Sequence, residues 1–265
     1  MMSPGWVVSA RQGGGWVVRE RRRFPLTERS RAPHVCPRPV RLEVLRRMPL
    51  FDGLTMAEIF DLEAQVQARG YRAGEFIYRY GENATSLFVV ASGTAKLIRP
   101  SVHGQEVMLN ILGPGEGCGT LGILGQAVYP DSAVALTDAC ALEIPARAFQ
   151  EAMGRQPRLV LAVLDEVLHR LDQAQETIRR LSADNVEQRV AAALLVLADK
   201  LGDAQGEKIA LEVPLTRTDL AALTGMTPET VSRVMSRLRD DGIVDTGRRW
   251  TTILDRSRLS AVAEG

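Results

Sequence analysis

The sequence predicts an α+β protein: a double-stranded β-helix or jelly roll, then one long helix, then a small helical unit with a β-wing. Three observations carry this. From Arg72 to Pro145, short β-prone runs alternate with glycine-containing turns, as in "RAGEFIYRYGENATSLFVVASGTAKLIRP". From Pro157, apolar residues recur at heptad spacing. After Lys208, a β-prone run leads into two short capped helices and a pair of strands around Gly247.

Composition bounds the function. A chain of 265 residues favours two domains over one, and 45% hydrophobic with 25% charged residues is ordinary for a globular protein. No apolar run reaches the roughly 18 residues of a membrane span. The start, "SPGWVVSARQGGGWVVRERRR", lacks the apolar core of a signal peptide, so a cytoplasmic protein without membrane partners is expected. Cys36, Cys118 and Cys140 have neither the number nor the spacing of a disulfide framework or a zinc site. His34, His103 and His169 lie far apart, and no metal site is expected. Arginine outnumbers lysine 30 to three, so an arginine cluster by itself carries little weight.

Residues 1–40 hold five prolines, four glycines and eight arginines against two glutamates, a charge of +6 in a chain whose total is +1. A basic, disordered arm is expected there, with contact to DNA as the alternative. Residues 41–156 form the predicted roll. A short helical pattern from Leu42 precedes a capping box at Thr55 and Glu58, and the strands follow. Residues 157–183 are the long helix, with Pro157 suited to its first turn. Leu164, Val167, Leu171, Ala174, Ile178 and Leu181 occupy successive a and d positions, the pattern of a homodimer seam. The repeat fails at Asn185 and Gln188, so a hinge near 182–185 is expected, with a new helix capped by Ser182 or Asp184. Residues 184–265 are the last domain.

That domain carries the chemistry. Thr216 and Asp219 form a capping box before Leu220, Ala221 and Leu223, and Gly225 suits a left-handed C′ position. Thr227 is a good N-cap, Pro228 a good first residue, and Glu229 favours the positive helix end. Val231, Val234, Met235 and Leu238 mark the apolar side of the second helix, which runs to about Asp240. Two short helices joined by a glycine turn, followed by "GIVDTGRRWTTILD" as a wing, make a winged helix-turn-helix, and double-stranded DNA is the expected partner.

The two halves together resemble the Crp–Fnr family. The carriers are "RAGEFIY", "YGENATSLFVVASGTAKL", "GQEV" and "ILGPGEGCGTLG", with Gly74, Gly81, Gly93, Gly104, Gly113 and Gly115 at the turns, and then "LTRTDLAALTGMTPETVSRVMSRLRDDGIV". The likeness covers about residues 42–260. It implies a cyclic-nucleotide-binding-like roll, a dimerisation helix and a homodimeric transcription regulator that engages RNA polymerase. In its recognition helix the chain is similar to the Fnr branch. This implies base reading by Glu229, Ser232 and Arg233 on an inverted repeat like TTGAT-N4-ATCAA. Arginine pairs bidentately with guanine, glutamate accepts from cytosine N4, and serine is adaptable. Arg217, Thr227, Thr230, Arg248 and Arg249 are implied phosphate contacts.

The effector is less legible. Cyclic-AMP-binding relatives carry a glutamate for the ribose and an arginine for the cyclic phosphate. In "GTLGILGQAVYPDSA" the corresponding positions hold Thr120 and Asp131, the latter followed by Ser132. A carboxylate beside a phosphate is repelled by about 1 kcal/mol at 4 Å in water. The expected effector is therefore not cyclic AMP, or there is none. Iron–sulfur relatives use four cysteines, three of them clustered, which this chain lacks. Haem-based gas sensing or redox sensing within the same family is the alternative, with His34, His103 and His169 as the only imidazoles. Cys118 and Cys140 are expected as buried small residues. An enzyme is not expected: a metal barrel needs several histidines, and the roll region holds only His103.

Overall fold

In the computed structural model the described residues are 6–12, 15–20, 36–102, 106–119, 124–125, 127–211, 213–247 and 250–265. Strands β1 (Trp6–Gln12) and β2 (Gly15–Glu20) pair antiparallel. This part of the chain, expected as a basic, disordered arm, contains a two-stranded element, and a helix begins before residue 40. That helix, α1 (Arg38–Arg47), and α2 (Met56–Glu63) lead into the roll. Thr55 and Glu58 close the capping box before α2, as the sequence predicts. Glu63, buried, ties the two helices together by accepting from Arg38 Nε at 2.8 Å and Arg41 Nη2 at 2.5 Å.

The roll comprises β3 (Gln67–Tyr71), β4 (Phe76–Tyr78), β5 (Ser86–Ser92), β6 (Ala95–Pro100), β7 (Glu106–Leu112), β8 (Gly117–Cys118), β9 (Ser132–Ala135) and β10 (Ala139–Pro145). They form two four-stranded antiparallel sheets, ordered β3-β10-β5-β8 and β4-β9-β6-β7. Strand β5 shows why its sequence is apolar throughout. Leu87, Val89 and Ala91 face the helical layer, whereas Phe88 and Val90 face the roll interior, so both sides of the period-2 strand are buried. Gly93 turns β5 into β6 at φ +74°; a Cβ there would lie 2.3 Å from the Asp138 carbonyl oxygen. Only glycine fits.

Helix α3 (Ala146–Arg155) seals the helical core through Phe149, which is fully buried, a burial that stabilises by about 1.5–3 kcal/mol. Helix α4 (Pro157–Ala183) anchors its start through buried Leu159 and Val163. Beyond them its apolar residues turn outward. Helix α5 (Val186–Leu201) begins with Asn185 as N-cap, in a capping box with Gln188. The cap is neither Ser182 nor Asp184: Ser182 lies in the last turn of α4 and Asp184 is its extended C-cap, while the Asn185 side chain, where the heptad fails, accepts from the Glu187 and Gln188 backbone N–H groups.

The last domain adds β11 (Asp203–Gln205), β12 (Lys208–Leu211), α6 (Arg217–Thr224), α7 (Pro228–Asp240), β13 (Val244–Thr246), β14 (Thr251–Ile253) and α8 (Arg256–Glu264). Its core gathers Val190, Leu194, Leu211, Leu220, Val231, Met235, Ile253 and Leu259. Two residues of the roll, Met108 and Ile111 of β7, are buried in the same cluster. The two halves therefore share apolar surface.

Candidate nucleic-acid interface

The geometry of the helix pair follows from its local sequence. Thr216 caps α6 and accepts from the Asp219 backbone N–H at 3.0 Å, while Asp219 Oδ2 accepts from Thr216 N at 3.0 Å. Gly225 ends α6 in the left-handed region at φ +66°. Thr227 caps α7, accepting from Thr230 N, with Pro228 at its first position. Ala221 is 3% exposed and Val231 is fully buried, which lets the helices cross closely.

Helix α7 buries Val231, Val234, Met235 and Leu238, the i, i+3, i+4, i+7 stripe. Its opposite face presents Glu229 and Arg233 exposed and Ser232 half-buried. The structure brings these three together on one turn. Arg233 Nη2 donates to Thr230 Oγ1 at 3.3 Å, and Thr230 Oγ1 lies 3.2 Å from Thr227 Oγ1. No Glu229–Arg233 ion pair occurs among the described residues. The Glu229 carboxyl is nevertheless held below its usual range by the backbone N–H at the helix start, the Thr227 hydroxyl and the charge of Arg233. It is an anion at neutral pH.

Of the expected phosphate contacts, Thr227 and Thr230 lie at the exposed start of α7. Arg217 is half-buried, and its Nη2 donates to Thr246 Oγ1 of the wing strand β13 at 3.1 Å. Burial and the nearby Arg239 lower its pKa, so an anion here would relieve two like charges. Arg248 and Arg249 lie outside the described residues. Arg237, one helical turn after Arg233, went unnoticed in the sequence; its side chain is 67% exposed and ion-paired to Glu187 of α5. Its i+4 spacing from Arg233 was the available signal.

The apolar face of α4 is open. Leu164, Leu171 and Ile178 are 52%, 54% and 64% exposed, and Ala174 is exposed as well. Two members of the expected seam behave differently. Val167 is half-buried against the helical core under the roll, and Leu181, though still 47% exposed, lies beside the α6–α7 turn, within 3.0 Å of a Cβ placed on Gly225. Leu161 and Leu168, which the heptad reading omits, are exposed too.

In the roll, Asp131 is half-buried and accepts from Tyr78 Oη at 2.7 Å. Tyr78 stacks on Tyr129 at 4.0 Å and on Phe88 at 5.5 Å between ring centroids. Burial raises the Asp131 pKa, opposed by the Tyr78 hydrogen bond and by the charges of Arg170 and Arg99. Ser132 is buried, its Oγ accepting from Tyr80 N at 2.8 Å. Thr120 lies outside the described residues. Cys36, Cys118 and Cys140 are all buried free thiols, and burial pushes Cys118 up to about 12. His34 and His103 lie outside the described residues. His169 is exposed and touches Gln173 at 2.8 Å. Among the described residues no group of three or more metal-ligating side chains comes together, and no helix is long and apolar enough to cross a membrane.

A β-roll joined by a long helix to a winged helix-turn-helix is the build of a DNA-binding transcriptional regulator. Known proteins agree. Residues 188–262 match the model of a Crp-like helix-turn-helix domain, and residues 68–156 match that of a cyclic nucleotide-binding domain. The chain is 32% identical over 222 residues to a protein named cyclic AMP receptor protein from Thermus thermophilus, covering 83% of this chain and 99% of that one. It is 30% identical to the transcriptional activator protein FnrL of Cereibacter sphaeroides, over 76% of this chain and 82% of the relative. A solved CRP/FNR-family transcriptional regulator of Thermus thermophilus superposes with a TM-score of 0.63 at 26% identity, covering 75% of this chain and 99% of that one. The chain belongs to the Crp–Fnr family of transcriptional regulators. Like these relatives it is a regulator and not an enzyme.

Proposed function

We propose that the protein acts as a cytoplasmic homodimer that binds an inverted repeat resembling TTGAT-N4-ATCAA and engages RNA polymerase from there. The supporting observation is the exposed face of α7, where Glu229, Ser232 and Arg233 stand together past a capped, glycine-turned helix start. Arg233 pairs with guanine, Glu229 accepts from cytosine, and Ser232 adapts. Arg217, Thr227, Thr230 and the wing arginines Arg248 and Arg249 hold phosphates and set the register. The open stripe of Leu164, Leu171, Ala174 and Ile178, flanked by Val167 and Leu181, pairs with the same stripe of a second copy. A two-fold dimer then places its two α7 helices about 34 Å apart, one turn of DNA.

The effector is not cyclic AMP, or the protein works without one. One relative is called a cyclic AMP receptor protein, yet here the phosphate would meet Asp131, a carboxylate held by Tyr78. An input at the roll shifts the equilibrium between orientations of the two reading heads. Competition gel shifts with the TTGAT duplex and a scrambled duplex test the DNA reading. Arg233→Ala should cost about 1–3 kcal/mol on the specific site and relax preference at the guanine, whereas Arg217→Ala should weaken all sequences alike. Equal loss on both duplexes for Arg233→Ala would overturn the assignment.

A further inference from the structure

The chain holds 30 arginines and three lysines, and two of those lysines, Lys96 and Lys200, join the roll to the DNA-binding domain. Lys96 of β6 places its Nζ 2.9 Å from Asp219 Oδ1, with the two side chains only 20% and 10% exposed. Asp219 is the residue whose other oxygen closes the α6 capping box, accepting from Thr216 Oγ1 at 2.7 Å and Thr216 N at 3.0 Å. One carboxylate therefore binds the roll and the first reading-head helix at once. Lys200, at the end of α5, spends its three donors on Glu116 Oε1 at 2.9 Å, Asn110 Oδ1 at 2.9 Å and the Ile111 carbonyl at 3.2 Å. A compact ammonium with three rotatable donors suits such convergent acceptors better than a planar guanidinium.

The strand that carries Lys96 also touches the effector position. In the β6–β9 ladder Lys96 pairs with Val134 and Ile98 pairs with Ser132, the residue after Asp131. A displacement of β9 reaches Lys96 within one strand spacing and Asp219 through one ion pair. This route runs beside α4 rather than along it.

We infer that Lys96, with Lys200 in support, is a positioning residue for DNA binding, holding α6 and hence α7 at the angle that lets a dimer engage both half-sites. The inference rests on the DNA reading above. Without the latch each reading head samples other angles, and the affinity for two linked half-sites falls by the fraction of dimers that remain poised. A single half-site makes no such demand.

The test compares wild type, Lys96→Met, Lys96→Arg and Lys200→Met on a full inverted repeat and on a single half-site, with hydrogen exchange measured on the free proteins. Lys96→Met should weaken full-site binding by about tenfold and leave half-site binding within about twofold. Its α6 and β7 amides should exchange faster. Lys96→Arg should restore most of the full-site affinity, and Lys200→Met, which leaves Asp219 paired, should shift full-site binding in the same direction as Lys96→Met. Unchanged full-site affinity, tighter binding, or equal loss on both duplexes would overturn the inference. Unchanged exchange at α6 and β7 in Lys96→Met would overturn it whatever DNA the protein reads. Failure of wild type to prefer the inverted repeat over a scrambled duplex, with α6 exchange still responding to Lys96, would instead count against the DNA reading.

Discussion

Asp131 shows what one side chain decides in the roll. Burial raises its pKa, and the Tyr78 hydroxyl with the charges of Arg170 and Arg99 only partly opposes this. A carboxyl whose folded pKa lies above its unfolded value of about 3.9 favours the neutral form in the fold. Its contribution to stability is then fullest below the unfolded value and falls as pH rises through the folded one. Asp131→Asn keeps an acceptor for Tyr78 and removes the charge. Melting at pH 7 should rise by about 2–4 °C, and the gain should vanish near pH 3. An unchanged or lower melting temperature at pH 7 would show that the carboxylate is not under strain. Asp131 itself stood out in the sequence as a carboxylate late in the roll. Its partner did not, because Tyr78 lies 53 residues away and only the pairing of β4 with β9 brings them together.

At the scale of elements, what the sequence specified best was local. The capping boxes Thr55–Glu58 and Thr216–Asp219, the left-handed Gly225 and the Thr227–Pro228 start all depend on residues within one turn, and all four form. Helices α3 and α8 went unnoticed: each is short, and each is held by packing on distant partners through Phe149 and Leu259. The long helix is intermediate. Its heptad was readable, but Val167 packs on the core under the roll and Leu181 lies beside the α6–α7 turn, because α4 runs past both. The most open part of the apolar stripe accordingly centres on Leu164, Leu171 and Ile178. In the proposed dimer a charge at Leu171 would face its own copy across the two-fold axis. Leu171→Asp should convert the proposed dimer to monomer in sedimentation at micromolar concentration while leaving the monomer folded, since the residue is 54% exposed in the single chain. A dimer that survives this change would place the interface elsewhere.

Over the whole molecule, the sharing of β7 between two cores sets how the chain unfolds. Met108 and Ile111 belong by sequence to the roll, yet they are 4% and 1% exposed inside the cluster built by α5, α6 and α7. Leu112, the next residue along, packs inside the roll instead. A strand inserted in this way couples two domains that a sequence reading separates at the hinge near residue 184. The link is apolar as well as ionic: Ile111 pairs with Lys96 in the β6–β7 ladder, and its carbonyl accepts from Lys200 Nζ at 3.2 Å. Truncating Met108 leaves a cavity at this junction, and a buried methionine cut to alanine costs about 2–5 kcal/mol. If the domains were independent, that cost would fall on the C-terminal amides alone. Because β7 is hydrogen-bonded to β6 in the roll, the loss should extend there too. Native-state hydrogen exchange of Met108→Ala should therefore show α5, α6, β6 and β7 losing protection together, and urea unfolding should remain a single transition at a lower midpoint. Loss of protection in α5 and α6 with β6 unmoved would mean that the C-terminal domain opens on its own.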